Sequence, residues 1–380
     1  MKLVLAQPYL TLKGGAERVI LKIAQHYDAK IYTTEYNKET TFPEFADVDI
    51  ELIKKKVPLS GMLPYRASQG LRYGYTFYNT KIKDDYDLIN SHISPSEWIR
   101  HKNSSVLWYC HTPPREVYDL YSVRMKNRSY TEKFIYATLT NSYKFIANKV
   151  VKELEGIATN SNNTASRIRK YFGREATVIN PAVDYKKFKD EGDSKYFLYP
   201  SRIISNKRQD YAIEAFKKFE KKVKGYKLII AGVVSKDKEH IEYFEKIKRI
   251  ADDNVEFKIG ISEQAMLNLY SKSTAVLFAG INEDFGYVPL EAMASYKPII
   301  SINEGGPKET IVDGETGYLV NSTDEMASKM QFIAEHPLIA AEMGKKGRKR
   351  VEEKYNWEVF FKKFDKLALS VIKEKREEKE

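Results

Sequence analysis

Only one cysteine, Cys110, occurs in the 380 residues. That excludes an internal disulfide framework and any metal site built from several thiolates. No run of His, Cys and carboxylates shows metal-ligand spacing either. No uninterrupted apolar stretch is long enough to span a bilayer. The first apolar run, Lys2-Leu3-Val4-Leu5-Ala6, stops at Gln7-Pro8. It is too short for the apolar core of a signal peptide and reads as a first strand. There is no internal repeat and no long low-complexity segment. The expected location is cytoplasmic, with a peripheral place on the inner face of the cell membrane left open.

Basic residues are in excess, 63 Lys+Arg against 52 Asp+Glu, for a net charge of +11. This points to anionic partners such as nucleotides, lipid head groups or nucleic acid, against the plainer reading of a Lys-rich soluble surface. With 42% hydrophobic residues the chain can build substantial cores, and its length suggests two or more domains.

Short apolar runs alternate with helical patterns, the signature of βαβ units and parallel sheets, so the fold class is α/β. In the first half, strands are expected at Lys2–Gln7, Lys30–Thr34, Asp87–His92, Val106–His111, Gly156–Asn160 and Thr177–Asn180. In the second they are expected at Tyr196–Pro200, Lys227–Gly232, Val255–Gly260, Thr274–Gly280 and Pro298–Ile302. Helical patterns cover Ala16–His26, Asp210–Val223, Glu239–Ala251, Glu263–Ser273, Asp324–Glu335 and Trp357–Lys373, with Ser262 and Thr323 as N-caps for two of them. The segment Pro181–Ser194 reads as a linker between two lobes, and a cleft between lobes is a common ligand site.

The stretch Asn282-Glu283-Asp284-Phe285-Gly286-Tyr287-Val288-Pro289-Leu290-Glu291 follows an apolar strand. In open parallel sheets, ligands bind where strands end and helices begin. A helix start there favours anions such as a diphosphate. Glu283 falls on the strand-end loop and Glu291 in the helix. Two carboxylates beside a phosphate site suit hydroxyl recognition, as on a sugar and a ribose. Arg202 and Lys207 occupy another strand-end loop, where a guanidinium fork and an ammonium can hold a diphosphate. Lys13-Gly14-Gly15-Ala16-Glu17 opens a helix, lacks the GxGxxG and P-loop spacings, and competes with a plain tight turn. Gly305-Gly306 form a further glycine-rich strand-end loop. His111 ends one strand and His92, its competitor, ends another. The segments Met62–Ile82 and Val123–Lys152 mix Tyr, Phe, Lys and Arg, including Tyr65-Arg66, Arg72, Lys144 and Lys149. They suit an anionic membrane surface or an ordinary amphipathic helix pair, and no nucleic-acid module accompanies them.

Taken together, these residues resemble the retaining glycosyltransferases of the GT4 family, which share the GT-B architecture of two Rossmann-like domains facing across a cleft. The E-x7-E element from Glu283 to Glu291, Arg202 with Lys207, Gly305-Gly306, Gly14–Glu17 and His111 carry the resemblance. The pieces Tyr109-Cys110-His111-Thr112-Pro113-Pro114-Arg115 and Glu283-Asp284-Phe285-Gly286 look most like mannosyltransferase-type members acting on lipid-linked saccharides. The resemblance implies an acceptor-binding domain over 1–183, rejoined by 357–380, and a nucleotide-sugar domain over 184–356. It implies catalytic roles for His111 and Glu283 at the donor sugar. Donor contacts would come from Gly14, Gly15, Arg202, Lys207, Asp284, Phe285, Gly286, Tyr287 and Glu291. No metal or cofactor is implied. The expected partners are a nucleotide sugar (GDP-mannose before UDP-hexoses), a saccharide or lipid-linked acceptor, and an anionic membrane surface. Same-face attack is favoured over a covalent intermediate. A related epimerase or phosphorylase, or a basic nucleic-acid-binding protein, is the alternative.

Overall fold

A computed structural model of the chain describes residues 1–57, 65–126 and 128–377. Residues 62–64 and 127 and the Tyr65 and Arg66 side chains, expected within the two basic and aromatic first-half segments, lie outside the described residues. The chain divides into two units, Met1–Ile179 with Lys362–Glu380, and Asn180–Phe361.

The main sheet of the first unit has seven parallel strands among the described residues: β1 (Leu3–Ala6), β2 (Lys30–Thr33), β3 (Ile50–Leu52), β4 (Leu88–Ser91), β5 (Val106–Cys110), β6 (Gly156–Thr159) and β7 (Thr177–Val178). Their order is β3-β2-β1-β4-β5-β6-β7. Every residue of β1, β4, β5 and β6 is buried. A parallel sheet covered on both faces favours mostly apolar strands, which is why these strands are legible in the sequence although Asn90, Ser91 and Thr159 are polar and buried. The helix Gly15–Tyr27 buries Val19, Ile20 and Ile23 and ends where Asp28 takes a left-handed conformation. The chain's last helix, Trp357–Glu377, returns to this unit. There Tyr27 Oη donates to Asp365 at 2.7 Å, and Phe364 lies 5.8 Å from the Tyr27 ring. Gly156 leaves room for Val371, whose methyl would stand 2.7 Å from a Cβ at that position.

The second unit holds six parallel strands: β8 (Tyr196–Pro200), β9 (Lys227–Gly232), β10 (Val255–Ile259), β11 (Ala275–Phe278), β12 (Ile299–Ile302) and β13 (Gly317–Val320). Their order is β10-β9-β8-β11-β12-β13. Both sheets therefore follow the doubly wound order, with a topological switch between β1 and β4 in one and between β8 and β11 in the other. The strand β13 was not expected, because it opens with Gly317, whose missing side chain lets it lie against the Ile299 carbonyl. Ser262 caps its helix as expected, accepting from the Ala265 N–H. The other expected cap is one residue off. Ser322 accepts from Glu325, and Thr323 is the first helical residue.

Candidate active site

The switch point of the second sheet brings two loops together. One runs from the end of β8 through Arg202 and Lys207, and the other from the end of β11 through Glu283. Tyr199, fully buried on β8, joins them through its hydroxyl. That hydroxyl accepts from the Ala279 N–H at 2.8 Å and donates to the Lys207 carbonyl. A second stitch runs from the Ile281 N–H to the Asn206 carbonyl at 2.9 Å. So fixed, Lys207 Nζ meets Glu283 Oε2 at 2.5 Å and lies 5.5 Å from the centre of the Phe278 ring. Arg202 is exposed on the same loop. Its carbonyl and the Ser201 hydroxyl each accept from Gln209 Nε2 at 2.8 Å.

The Glu283 loop rests on the loop after β12. The Gly306 N–H donates to the Glu283 carbonyl at 2.7 Å. Gly305 has φ +63°, which suits glycine, and a Cβ there would stand 2.4 Å from the Glu283 carbonyl oxygen. A Cβ on Gly306 would stand 2.4 Å from the Phe285 Cα. The two glycines thus allow backbone to pack on backbone beneath Glu283. Glu304 extends the support, accepting from the Asn282 N–H at 3.3 Å and pairing with Arg208 at 3.4 Å. The helix Tyr287–Ala294 starts at Gly286, whose φ of 84° turns the chain into it. Glu291 sits in that helix, and Tyr270 Oη donates to its Oε2 at 2.8 Å. Asp284 and Tyr287 are partly exposed on the same loop. Phe285, expected among the donor contacts, is different: its side chain is buried in the core of the second unit. Only its backbone is left to offer a ligand.

The first unit presents its own switch-point residues. Gly14 and Gly15 open the helix after β1, but the buried Glu17 carboxylate lies over that first turn, 2.4 Å from where a Gly14 Cβ would be. The helix start is thereby covered by a carboxyl group of the chain itself. The glycine's missing side chain makes room for that carboxylate. His92 and His111, competitors in the sequence, are partners: His92 Nδ1 and His111 Nε2 are 3.0 Å apart. Burial pushes His92 well below the usual histidine range and His111 down to about 3. Sequence reasoning missed Tyr199 and Tyr270, common residues with no motif around them, and gave Glu304 no role although it lies in the glycine-rich loop with Gly305-Gly306. Among the described residues, no group of three or more His, Cys, Asp or Glu is placed to hold a metal ion, and no helix is long and apolar enough to cross a membrane.

Residues 183–350 match the family model described as glycosyl transferases group 1. The second unit thus carries a group 1 glycosyltransferase domain, and the chain is a glycosyltransferase. The match covers the switch point that carries Arg202, Lys207, Glu283 and Glu291. Relatives extend beyond it. The glycosyltransferase is 25% identical over 390 aligned positions to the α-1,3/1,6-mannosyltransferase ALG2 of Mus musculus, covering 91% of each chain. It is 35% identical over 149 positions to the trehalose synthase of Pyrococcus horikoshii, which is 38% of this chain and 36% of that one. Its fold matches the crystal structure of Anabaena HepE in complex with UDP-glucose, with TM-score 0.72, 18% identity, and coverage of 97% and 99% of the two chains. The likeness to that solved structure establishes the GT-B type of two Rossmann-like domains.

Proposed function

We propose that this glycosyltransferase moves a hexose, with retention at the anomeric carbon, from a nucleoside-diphosphate sugar to a saccharide or lipid-linked acceptor. GDP-mannose is the favoured donor and UDP-hexoses are its competitors. The Lys207–Glu283 pair at the second switch point, with Arg202 exposed on the same loop, carries this reading. Cations and a carboxylate side by side at the ends of parallel strands suit a diphosphate joined to a polyol. The likeness to ALG2 over most of both chains supports a mannosyl donor.

In the proposed reaction, the bond between the anomeric carbon and the β-phosphate oxygen breaks. An acceptor oxygen bonds to the same face of that carbon, and its proton passes to the departing phosphate. Arg202 and Lys207 stabilise the charge that grows on the leaving diphosphate. Glu283 accepts from sugar hydroxyls. Glu291, oriented by Tyr270, accepts from the ribose. His111 touches the sugar, and the Gly14-Gly15 turn contributes on the first unit by seating Glu17 over the helix start. No metal takes part.

The acceptor side includes an anionic membrane surface. The helix Tyr130–Glu153 leaves Tyr130 92%, Phe134 74% and Phe145 76% exposed. At about 100° per residue these three lie within about 60° of one another on the helix. Lys149 is exposed on the same helix. Aromatic rings flanked by lysine suit an interfacial helix.

The test is to give the purified chain GDP-mannose, UDP-glucose and UDP-N-acetylglucosamine, with and without EDTA and a lipid-linked saccharide. GDP-mannose should bind and be consumed in EDTA, and the product should keep the donor's anomeric configuration. UDP-glucose consumed in its place selects the competing donor. Binding of no nucleoside-diphosphate sugar overturns the proposal.

A further inference from the structure

Asn90, His92 and His111 form a hydrogen-bonded chain in the first unit whose proton positions follow from one end. Asn90 is fully buried, and its Nδ2 donates to the Leu107 carbonyl at 2.9 Å. Its Oδ1 therefore faces His92 Nε2, 2.9 Å away, and can only accept. Nε2 must be the protonated nitrogen of His92. A neutral imidazole carries one ring proton, so His92 Nδ1 accepts. The His111 Nε2 facing it at 3.0 Å must then donate. His111 Nδ1 keeps its lone pair and makes no hydrogen bond among the described residues.

Both backbones are pinned. The Trp108 indole N–H donates to the His92 carbonyl at 2.7 Å, and Asn160 Nδ2 donates to the His111 carbonyl at 2.8 Å. The rings stack with centroids 5.3 Å apart, with Tyr109 against both. Protonating His92 at Nδ1 would set two N–H donors face to face, whereas a proton added at the open His111 Nδ1 would break no bond of the chain and is opposed by burial alone. No carboxylate lies against the pair to compensate, among the described residues.

We infer that Asn90 and His92 are positioning residues that fix neutral His111 in its Nε2–H tautomer, leaving a bare Nδ1 as a hydrogen-bond acceptor for a hydroxyl of the transferred sugar. In its ligand, though not in its tautomer, this rests on the function proposed above. His111 is then neither a cation for the diphosphate nor a proton donor to it. The site should select a hydroxyl at that point of the sugar and disfavour a carboxylate, whose oxygens would meet the lone pair.

Long-range 15N–1H correlation spectra of the full chain, without substrate, test the tautomers. Both rings should be protonated on Nε2, and neither should titrate between about pH 5 and 8. A His111 protonated on Nδ1, or titrating in that window, overturns the inference whatever the protein's substrate. His92→Gln keeps one donor and one acceptor, so the His111 tautomer should survive. His92→Leu removes both, so His111 should lose its fixed tautomer and show a population protonated on Nδ1. In transfer assays, His92→Leu should lower kcat/KM by roughly tenfold, the scale of one lost hydrogen bond. His92→Gln should recover most of that loss. Equal activity of the two variants removes His92 from the mechanism. If His92→Leu does not fold, the wild-type and His92→Gln spectra decide. If the spectra are as expected but no sugar nucleotide binds, the proposed function fails and the tautomer assignment stands.

Discussion

Lys207 and Glu283 are 76 residues apart in sequence and 2.5 Å apart in the fold. Each ends a loop from a neighbouring strand, and Tyr199 binds the two loops through one buried hydroxyl. The pair is partly exposed, at 13% and 27% of the two side chains, so water and ligand can reach it. In the unliganded site each charge neutralises the other. A diphosphate and a sugar hydroxyl can then compete for the ammonium and the carboxylate without either group having been desolvated alone.

Lys207→Ala should weaken binding of the nucleoside diphosphate by roughly tenfold to a hundredfold, the loss of one charge-assisted hydrogen bond. Glu283→Ala should lower kcat by about a hundredfold or more while thermal unfolding stays close to wild type. Calorimetry with the diphosphate and a turnover assay separate the two effects. Unchanged affinity in the first variant, or near-normal turnover in the second, contradicts the assignment.

Tyr199→Phe removes only an oxygen, yet it strands the buried Ala279 N–H and takes the hydroxyl donor from the Lys207 carbonyl. The cost should be about 1–3 kcal/mol in unfolding free energy. Because both loops lose their shared anchor, diphosphate affinity should fall as well. A variant that is destabilised but binds normally shows that the Asn206–Ile281 stitch alone sets the loops.

Gly305→Ala tests the support beneath Glu283. The new Cβ would fall 2.4 Å from a backbone oxygen at a φ of +63°, so the neighbouring loop must shift. Overpacking and the left-handed conformation together should cost about 2–4 kcal/mol. Activity should fall further than stability does, because the displaced atoms are those of Glu283. Gly314→Ala, also at positive φ but with nothing near its added Cβ, is the control for backbone strain alone.

The two sheets were legible because parallel strands buried on both faces are mostly apolar, as Val106–Cys110 and Tyr196–Pro200 are. Glu283, Glu291, Arg202 and Lys207 were legible because chemistry at strand ends stands out against apolar runs. The relations among them were not. That Gly305 and Gly306 carry the Glu283 backbone, that Glu17 fills the space over Gly14, and that His92 pairs with His111 depend on contacts between distant segments. No local pattern encodes those contacts. Arg72, grouped with the membrane-facing cations in the sequence, is paired with Glu35. Opposite charge nearby, absent from its own helix, decides that.

The proposed membrane contact of the helix Tyr130–Glu153 is tested by replacing Tyr130, Phe134 and Phe145 with serine. Binding to vesicles containing anionic lipid should be lost in sedimentation, while binding of the nucleotide sugar is kept. Wild-type binding should fall with added salt, since lysines contribute to it. Equal sedimentation of variant and wild type removes this face from the membrane.

Glu97 gives a pH dependence with a defined sign. It is fully buried beside Tyr143 and Tyr118, with Oε1 accepting from the Ser94 hydroxyl at 2.5 Å and Oε2 without a partner among the described residues. Burial raises its carboxyl from 4.5 to about 7. The folded chain therefore holds a proton that the unfolded chain has released, and Glu97 contributes a loss of stability as pH climbs from about 4.5 to about 7. Over that span the loss is roughly 3 kcal/mol. The buried histidines act oppositely. With His111 lowered to about 3, their stability is present above about 6.5 and lost as pH falls. The two trends oppose each other below neutrality, so the wild-type curve alone does not isolate Glu97. The difference from Glu97→Gln does. The variant keeps the side-chain shape without the charge, and should gain melting temperature over wild type at pH 8 and little or nothing at pH 4.5. A gap that does not change with pH shows that Glu97 stays in one protonation state throughout.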